Sequence, residues 1–391
     1  MYSIFCTRPP EAVTGHDQRL GIMNIVVFGS LAGSLINFRG AMISEAVRRV
    51  HEVTGCAPVA SRDVVDRLQA LGAKFQDMPL QRTGLNPWED IRTLIRLREF
   101  FRRTRPDVLI SYTIKPVIYG SIAGRCAGIP RICSMITGLG YAYGRHDRKA
   151  RMVHRIVERL YHASLKHNYR VFFQNPDDLR LFLERGLVDA GQAVLINGSG
   201  VDVDRFRPQP IPDSLSFLMI ARLIRSKGIR EYAEAARILK NKYENVSFRI
   251  VGGFDEDNPS AITRDELQRW INGGALEYWG EMPDVRGAIA ASAVYVLPSY
   301  REGIPRTVLE AMAMARPVIT TDVPGCRETV TGGVNGLLVP AEDSAALAGA
   351  MEYFIQNRAE IAAMGRRGRE IAVERFDVHK INQDIMRAIG I

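Results

Sequence analysis

From Met23 onward, short apolar runs alternate with longer segments of helical period. Asn24–Phe28 reads as a buried strand and 38–53 as a helix. Further strand-like runs lie at 57–60, 74–78, 108–111, 131–135, 169–173 and 193–196, with helical stretches such as Pro87–Thr104 and 116–128 between them. Strands that lack strict alternation and are separated by helices predict a parallel sheet covered on both faces. Residues 197–214 break the rhythm with two glycines and three prolines, and read as a linker. The alternation then restarts, with strands at 215–220, Ser247–Val251, 276–279, Val294–Leu297, 318–320 and 337–339, and three helices after Asp343.

The pattern predicts an α/β chain of two doubly wound Rossmann-like domains, 23–200 and 201–375, facing across a cleft. Residues 1–22 read as a flexible leader, and a C-terminal helix in 376–391 is expected to pack back on the N-terminal domain. A ligand belongs at the carboxyl ends of the strands, in the cleft.

Composition narrows the class. The 391 residues are 46% hydrophobic and 24% charged, which excludes a largely disordered or fibrous chain. No apolar run approaches the roughly 18–20 residues of a spanning helix, and 1–22 lacks the apolar stretch of a signal peptide. Five scattered cysteines (Cys6, Cys56, Cys126, Cys133, Cys326) without a CxxC pattern read as reduced thiols of a cytosolic protein. The net charge of +9 is uneven. Residues 1–200 carry 28 basic and 17 acidic side chains (+11), whereas 201–391 carry 24 and 26 (−2). A one-sided surplus points to an anionic partner: nucleic acid, a phosphorylated ligand or an acidic membrane.

Three loops carry candidate chemistry. In the first, Ser299-Tyr-Arg-Glu-Gly-Ile-Pro-Arg-Thr-Val-Leu-Glu310, a buried strand passes through a glycine loop into a helix. Pro305 suits the first helical turn. The amides of Gly303, Ile304 and Arg306 would then meet phosphate or sugar hydroxyls at the helix N-terminus. Glu302 and Glu310 would reach different ends of a nucleotide-sized ligand. The plainer alternative makes Glu302 a helix cap and Glu310 a solvated helix residue. The second loop, Ala221-Arg222-Leu-Ile-Arg-Ser-Lys227-Gly228, follows a strand and offers a fork and a point charge to a diphosphate; a basic surface loop is the alternative. The third, Phe28-Gly29-Ser-Leu-Ala-Gly33, permits close backbone approach but lacks the third glycine of the dinucleotide fingerprint, so a nicotinamide enzyme is not indicated.

Two DxD triplets, Asp202-Val-Asp204 and Asp255-Glu-Asp257, sit beside arginines or in an acidic loop, and the seven histidines show no HxH or HExxH spacing. No metal site is expected. Residues 91–105, with six arginines, and 148–170 form basic amphipathic stretches. They read either as core-facing helices with a solvated basic face or as a dock for an anionic membrane. Neither belongs to a nucleic-acid-binding module.

Glu302-x7-Glu310 with Gly-Ile-Pro, the Arg222/Lys227 pair, the Gly-Ser-Gly-Val-Asp-x-x-Arg-Phe segment at 198–206 and the glycine loop at 29–33 occur in one order. Together they resemble the retaining glycosyltransferases of family 4, with the GT-B fold, over nearly the whole chain from Met23. Thr113-Ile-Lys-Pro-Val-Ile-Tyr119 and Met135-Ile-Thr-Gly-Leu-Gly-Tyr141 resemble the bacterial branch acting on undecaprenyl-diphosphate-linked sugars, N-acetylgalactosaminyltransferases among them.

The resemblance implies a UDP-sugar donor, a polyprenyl-diphosphate-linked acceptor and no metal or other cofactor. It implies that Arg222 and Lys227 neutralise the diphosphate, and that Glu310 takes the ribose hydroxyls. Glu302, with the amides of Gly303, Ile304 and Arg306 around Pro305, would hold the donor sugar. Gly29 and Gly33 would border the diphosphate and acceptor side. Many relatives carry a histidine that contacts the donor sugar where this chain has Thr113-Ile114-Lys115, so that contact is missing or supplied otherwise, with Lys115 the candidate. Lys115, Thr137 and Gly138 are also the candidates for the acceptor side. The enzyme would sit on the cytoplasmic face of the plasma membrane through 91–105 and 148–170. A UDP-sugar epimerase of the same fold and a non-catalytic anionic-lipid or nucleic-acid binder are the rival readings.

Overall fold

The computed structural model describes residues 21–81, 87–139, 148–256 and 258–391. The leader read at 1–22 lies outside them but for its last two residues, as do Cys6, Gly140, Tyr141 and Asp257. The chain divides into two compact units. One runs up to Phe173 and adds Leu179–Leu195 and Asn382–Ile391; the other comprises Gln174–Asp178 and Ile196–Ile381. The division falls at Leu195/Ile196, and the return to the first unit at Asn382.

The first unit carries seven strands: β1 (Asn24–Phe28), β2 (Glu52–Ala57), β3 (Lys74–Asp77), β4 (Val108–Tyr112), β5 (Arg131–Ile136), β6 (Arg170–Phe173) and β7 (Ala193–Leu195). They pair in parallel in the order β3-β2-β1-β4-β5-β6-β7. In this doubly wound order the winding reverses between β1 and β4, which opens a crevice at the carboxyl ends of those two strands. Val26, Phe28, Leu109 and Ile132 lie in the core with Phe100 and Phe101 of the helix Pro87–Thr104 and Val117 and Ile118 of Ile114–Ala127. The last residues of the chain belong here. Arg131 Nη1 donates to the carbonyl of Gly390 (3.0 Å), and Arg49 Nη1 to that of Ile391 (2.9 Å).

One sequence reading fails in this unit. The helix expected over 38–53 is two helices, Ala32–Asn37 and Gly40–Arg48, and the strand expected at 57–60 begins at Glu52. Val50 turns the chain out of the helix with φ of 69°, a conformation that β-branched side chains resist. A strand buried on both faces shows no alternation, so the apolar pattern alone cannot tell Val53 on β2 from another helical turn.

The second unit repeats the plan with β8 (Ser216–Ile220), β9 (Ser247–Val251), β10 (Glu277–Tyr278), β11 (Val294–Leu297), β12 (Val318–Thr321) and β13 (Gly336–Val339). Their order is β10-β9-β8-β11-β12-β13, all parallel, so the reversal lies between β8 and β11. Residues 197–214, read as a linker, are built into this unit. Val201, Val203 and Phe206 are buried in its core, and Val201 exchanges backbone hydrogen bonds with Phe376 and Val378. Carbonyls of this segment and of the chain around it accept from two arginines. Arg316, 1% exposed, donates to the carbonyls of Gln209 and Pro210 and to those of Ile289, Ala290 and Met314. Arg369 Nη1 donates to those of Val203, Phe206 and Ala313.

Candidate functional site

In the second unit, the two loops at the β8/β11 reversal are those singled out by motif. After β8 the chain runs through Arg222 to a short 3-10 turn, Arg225–Lys227, closed by Gly228 at φ 74°. A Cβ on Gly228 would stand 2.1 Å from the carbonyl oxygen of Pro298, the residue after β11, so only glycine lets the loops approach. The backbone amide of Tyr300 donates to the carbonyl of Ser226 (2.9 Å), and its hydroxyl donates to Glu231 (2.8 Å). These contacts bring the Lys227 ammonium onto the Glu302 carboxylate, with the two side chains 19% and 14% exposed.

Pro305 stands one position earlier than expected. It is the extended N-cap (φ −74°, ψ 110°) of the helix Arg306–Ala313 rather than a residue of its first turn. The helix start is pinned from below, since the Tyr295 hydroxyl donates to Thr307 Oγ1 (2.7 Å) and contacts the carbonyl of Ile220 (3.2 Å). No backbone carbonyl among the described residues accepts from the amides of Gly303, Ile304 or Thr307, so this helix N-terminus keeps donors for a ligand.

Neither plain alternative for the glutamates holds. Glu302 faces Lys227 instead of capping the helix, and Glu310 is buried at 6% exposure, paired with Arg306 at 2.9 Å. Burial pushes the Glu310 carboxyl above its ordinary range, and the Arg306 charge pulls it part of the way back. Arg222 lies apart from this pair and, at 55% side-chain exposure, meets Asp255 Oδ2 at 2.7 Å. The Asp255 loop is stitched to the Arg222 loop through the backbone, Leu223 to Gly253, Arg225 to Ser260 and Ile262 to Leu223.

The remaining predicted residues stand at the β1/β4 reversal of the first unit. A Cβ on Gly29 would overlap the Tyr112 hydroxyl at 2.3 Å, whereas one on Gly33 would meet nothing within 4 Å. Packing therefore demands the first glycine and leaves the second to another cause. Thr113 follows β4 with φ of 69°, strained for a β-branched residue, and donates to Ser30 Oγ at 3.0 Å. Lys115 is 14% exposed and bound to Asp90 at 2.9 Å, so its ammonium arrives already partnered. Thr137 and Gly138, the latter at φ 123°, follow β5 beside them.

Of the acidic triplets, Asp202 Oδ1 accepts the amides of Asp204 and Arg205 (3.1 and 2.8 Å) and serves its own turn. Asp202, Asp204 and His379 bring ligand atoms within 4.8 Å of one another, but the latter two are exposed. Cys56, Cys133 and Cys326 are buried free thiols. Burial pushes Cys133 and Cys326 up to about 12.

Sequence reasoning missed a buried cluster beside Glu302. Asp178, fully buried, pairs with Arg301, and Asn175 Nδ2 donates to the carbonyl of Gly303 at 3.0 Å. Asn175-Pro-Asp-Asp178 after a strand is a helix-start pattern. Its attachment to a loop more than a hundred residues away leaves no mark in either segment.

A doubly wound sheet with a cation, a carboxylate and a helix N-terminus at its reversal point has the chemistry to meet a phosphorylated ligand. Comparison with known proteins gives the family. "Glycosyl transferase 4-like domain" matches residues 38–198 and "Glycosyl transferases group 1" matches residues 214–357. A Campylobacter jejuni protein, N,N'-diacetylbacillosaminyl-diphospho-undecaprenol alpha-1,3-N-acetylgalactosaminyltransferase, is 28% identical over 81% of this chain and 85% of its own. An Escherichia coli protein, UDP-Gal:alpha-D-GlcNAc-diphosphoundecaprenol alpha-1,3-galactosyltransferase, is 27% identical over 65% of this chain and 68% of its own. The crystal structure of Anabaena HepE in complex with UDP-glucose superposes with a TM-score of 0.76 at 19% identity, covering 94% of this chain and 99% of that one. The chain belongs to the glycosyltransferases that join a 4-like domain to a group 1 domain, and it is an enzyme of that class.

Proposed function

We propose that this glycosyltransferase moves an N-acetylhexosamine from a UDP-sugar to a polyprenyl-diphosphate-linked glycan with retention of configuration. The product would enter polysaccharide or glycoprotein glycan assembly. The carrying observation is the Lys227–Glu302 contact beside the unused amides of the Arg306–Ala313 helix. Both named relatives act on diphospho-undecaprenol-linked sugars, and one transfers N-acetylgalactosamine, which supports the acceptor and donor classes.

Lys227 and Arg222 hold the donor diphosphate, and the Gly303 and Ile304 amides with Glu302 hold the sugar hydroxyls. Glu310 accepts from the ribose. In the transfer, the bond from the anomeric carbon to the leaving phosphate oxygen breaks as the acceptor oxygen bonds to the same face. The acceptor proton passes to the leaving diphosphate. Lys227 and Arg222 stabilise the negative charge that develops there, so the reaction needs no carboxylate base and no metal.

The first unit turns basic helices outward. On Pro87–Thr104, Trp88, Ile91 and Ile95 are 78%, 47% and 53% exposed among arginines; on Arg148–Leu165, Met152 and Ile156 are 61% and 44% exposed. Apolar side chains within a basic face suit peripheral docking on the anionic cytoplasmic leaflet of the plasma membrane, where each cation adds ~1 kcal/mol. This gives the +11 of residues 1–200 a use that nucleic acid does not.

The test is a panel of UDP-, GDP- and CMP-sugars, scored first by thermal stabilisation and then by transfer onto extracted lipid-linked acceptors. Stabilisation by UDP-sugars with a mass gain of one N-acetylhexosamine on the lipid is expected. A new UDP-sugar formed without acceptor, or no donor-dependent product, would refute the proposal. Binding to anionic vesicles should weaken with salt, and salt-insensitive binding would remove the docking role.

A further inference from the structure

Glu302 is preceded in the chain by Arg301, whose guanidinium would otherwise be free to compete for the carboxylate next to it. The structure denies it that choice. Arg301 Nη2 donates to Asp178 Oδ1, and the Asp178 side chain has no exposure. The other carboxylate oxygen of Asp178 accepts from Asn175 Nδ2 at 3.1 Å. The same Asn175 amide group donates to the carbonyl of Gly303 at 3.0 Å, while Asn175 Oδ1 accepts the Asp178 amide at 2.8 Å. From the opposite side the Glu302 amide donates to the carbonyl of Pro324 at 3.0 Å. Gly325 sits so close that a Cβ there would stand 2.3 and 2.4 Å from the carbonyl oxygens of Glu302 and Gly303.

The loop is thus gripped by its carbonyls and by the preceding side chain, which leaves the Gly303 and Ile304 amides and the Glu302 carboxylate for other duties. All these residues belong to the second unit, whose Gln174–Asp178 segment is contributed by the first half of the sequence. A carboxylate with no solvent exposure is retained at a cost in desolvation, raised in pKa by burial and held back by Arg301 and Asn175. An apolar residue would fill the space at less cost, so the charge itself has work to do.

We infer that Asp178 and Asn175 are positioning residues for donor-sugar transfer: they sequester the Arg301 charge and hold the Glu302–Gly303 loop so that Glu302 stays with Lys227. The inference rests on the donor-sugar role proposed for Glu302. It assigns a function to residues far from the two motifs in sequence, and it divides the site's energetics. Diphosphate binding depends on Arg222 and Lys227, which the cluster does not touch directly, whereas sugar orientation depends on the loop that it does.

The experiment compares full-length wild type, Asp178→Asn, Asp178→Glu, Asn175→Ala and the double variant Asp178→Asn/Arg301→Gln. The readouts are kcat and KM for the UDP-sugar, inhibition by UDP, and thermal melting. Asp178→Asn is expected to lower kcat by about 100-fold, the scale set by misplacement of about 1 Å, with the inhibition constant for UDP within about 3-fold of wild type by the same argument. Asp178→Glu should recover part of the loss, and Asn175→Ala should fall between. If Asp178→Asn does not fold, the double variant decides, because it leaves no unpaired charge; it should fold and remain slow. A folded variant with wild-type kcat, or one whose kcat and UDP inhibition fail in parallel, overturns the inference. Glu302→Ala separates this from failure of the underlying reading: if that substitution leaves turnover unchanged, the donor-sugar role itself is wrong.

Discussion

Replacing Lys227 with alanine removes one half of the contact on which the proposed function stands. The pair is about one-sixth exposed, with side chains at 19% and 14%. It falls between exposed pairs, worth ~0–1 kcal/mol, and buried ones, whose breakage costs ~3–5 kcal/mol. A loss of about 2 kcal/mol for the free enzyme follows from interpolating between those limits. In a domain of this size that lowers Tm by about 4–8 °C.

The effect on transfer is larger. A fixed donor facing charge that develops in the transition state is worth ~2.7–4 kcal/mol, so kcat should fall about 100- to 1000-fold. Removing the ammonium also leaves the Glu302 carboxylate to repel the donor diphosphate, so UDP should bind more weakly. Glu302→Gln separates the two roles, because it releases Lys227 from its competitor. UDP affinity should then hold or rise while kcat falls. The assays are calorimetric titration with UDP, steady-state transfer and thermal melts of each variant. A folded Lys227→Ala enzyme with kcat/KM within about 3-fold of wild type would refute the diphosphate role. Equal weakening of UDP binding by both substitutions would refute the competition between Glu302 and the diphosphate.

Two further outcomes follow from buried charges in the second unit. Arg316, which burial lowers to about 10, satisfies five carbonyls. Arg316→Met should cost about 3–5 kcal/mol by stranding the carbonyls of Gln209, Pro210 and Ala290, which accept from no backbone amide among the described residues. Arg316→Lys, with three donors, should recover little; chemical denaturation measures both, and a loss under about 1 kcal/mol would contradict the role. Glu310 works in the other direction. Its raised pKa means that the folded chain binds the proton more tightly than the unfolded one, so its contribution is present at acid pH and lost as pH rises through the folded pKa. Glu310→Gln should therefore melt no lower than wild type at neutral pH and lose that advantage on acidification, while UDP binding weakens. A variant that melts lower at neutral pH and keeps full UDP affinity would reverse the reading.

Much of the architecture was legible in the chain because its causes are local. Buried parallel strands must be apolar runs, and helices between them must carry one apolar face, so β1, β9 and β11 are bounded in the sequence as they are in space. The loops holding Arg222, Lys227 and Glu302 could be found because a strand, a glycine and a helix start follow one another within a dozen residues.

What escaped depends on distant partners. Residues 197–214 looked like a free linker because they show little apolar periodicity; the carbonyls of Val203, Phe206, Gln209 and Pro210 are taken up by Arg316 and Arg369 from far along the chain. The end of the helix expected at 38–53 was lost to the same periodicity that reveals helices elsewhere. The sequence by itself determined two doubly wound domains, the loops that follow their strands and the residue types proposed to grip a diphosphate. Only the tertiary structure decided which charges meet: Lys227 with Glu302, Arg222 with Asp255, Lys115 with Asp90 and Arg301 with Asp178. The reason is physical. Hydrophobic periodicity is written in neighbouring residues, whereas an ion pair depends on where folding brings two side chains that carry no trace of each other.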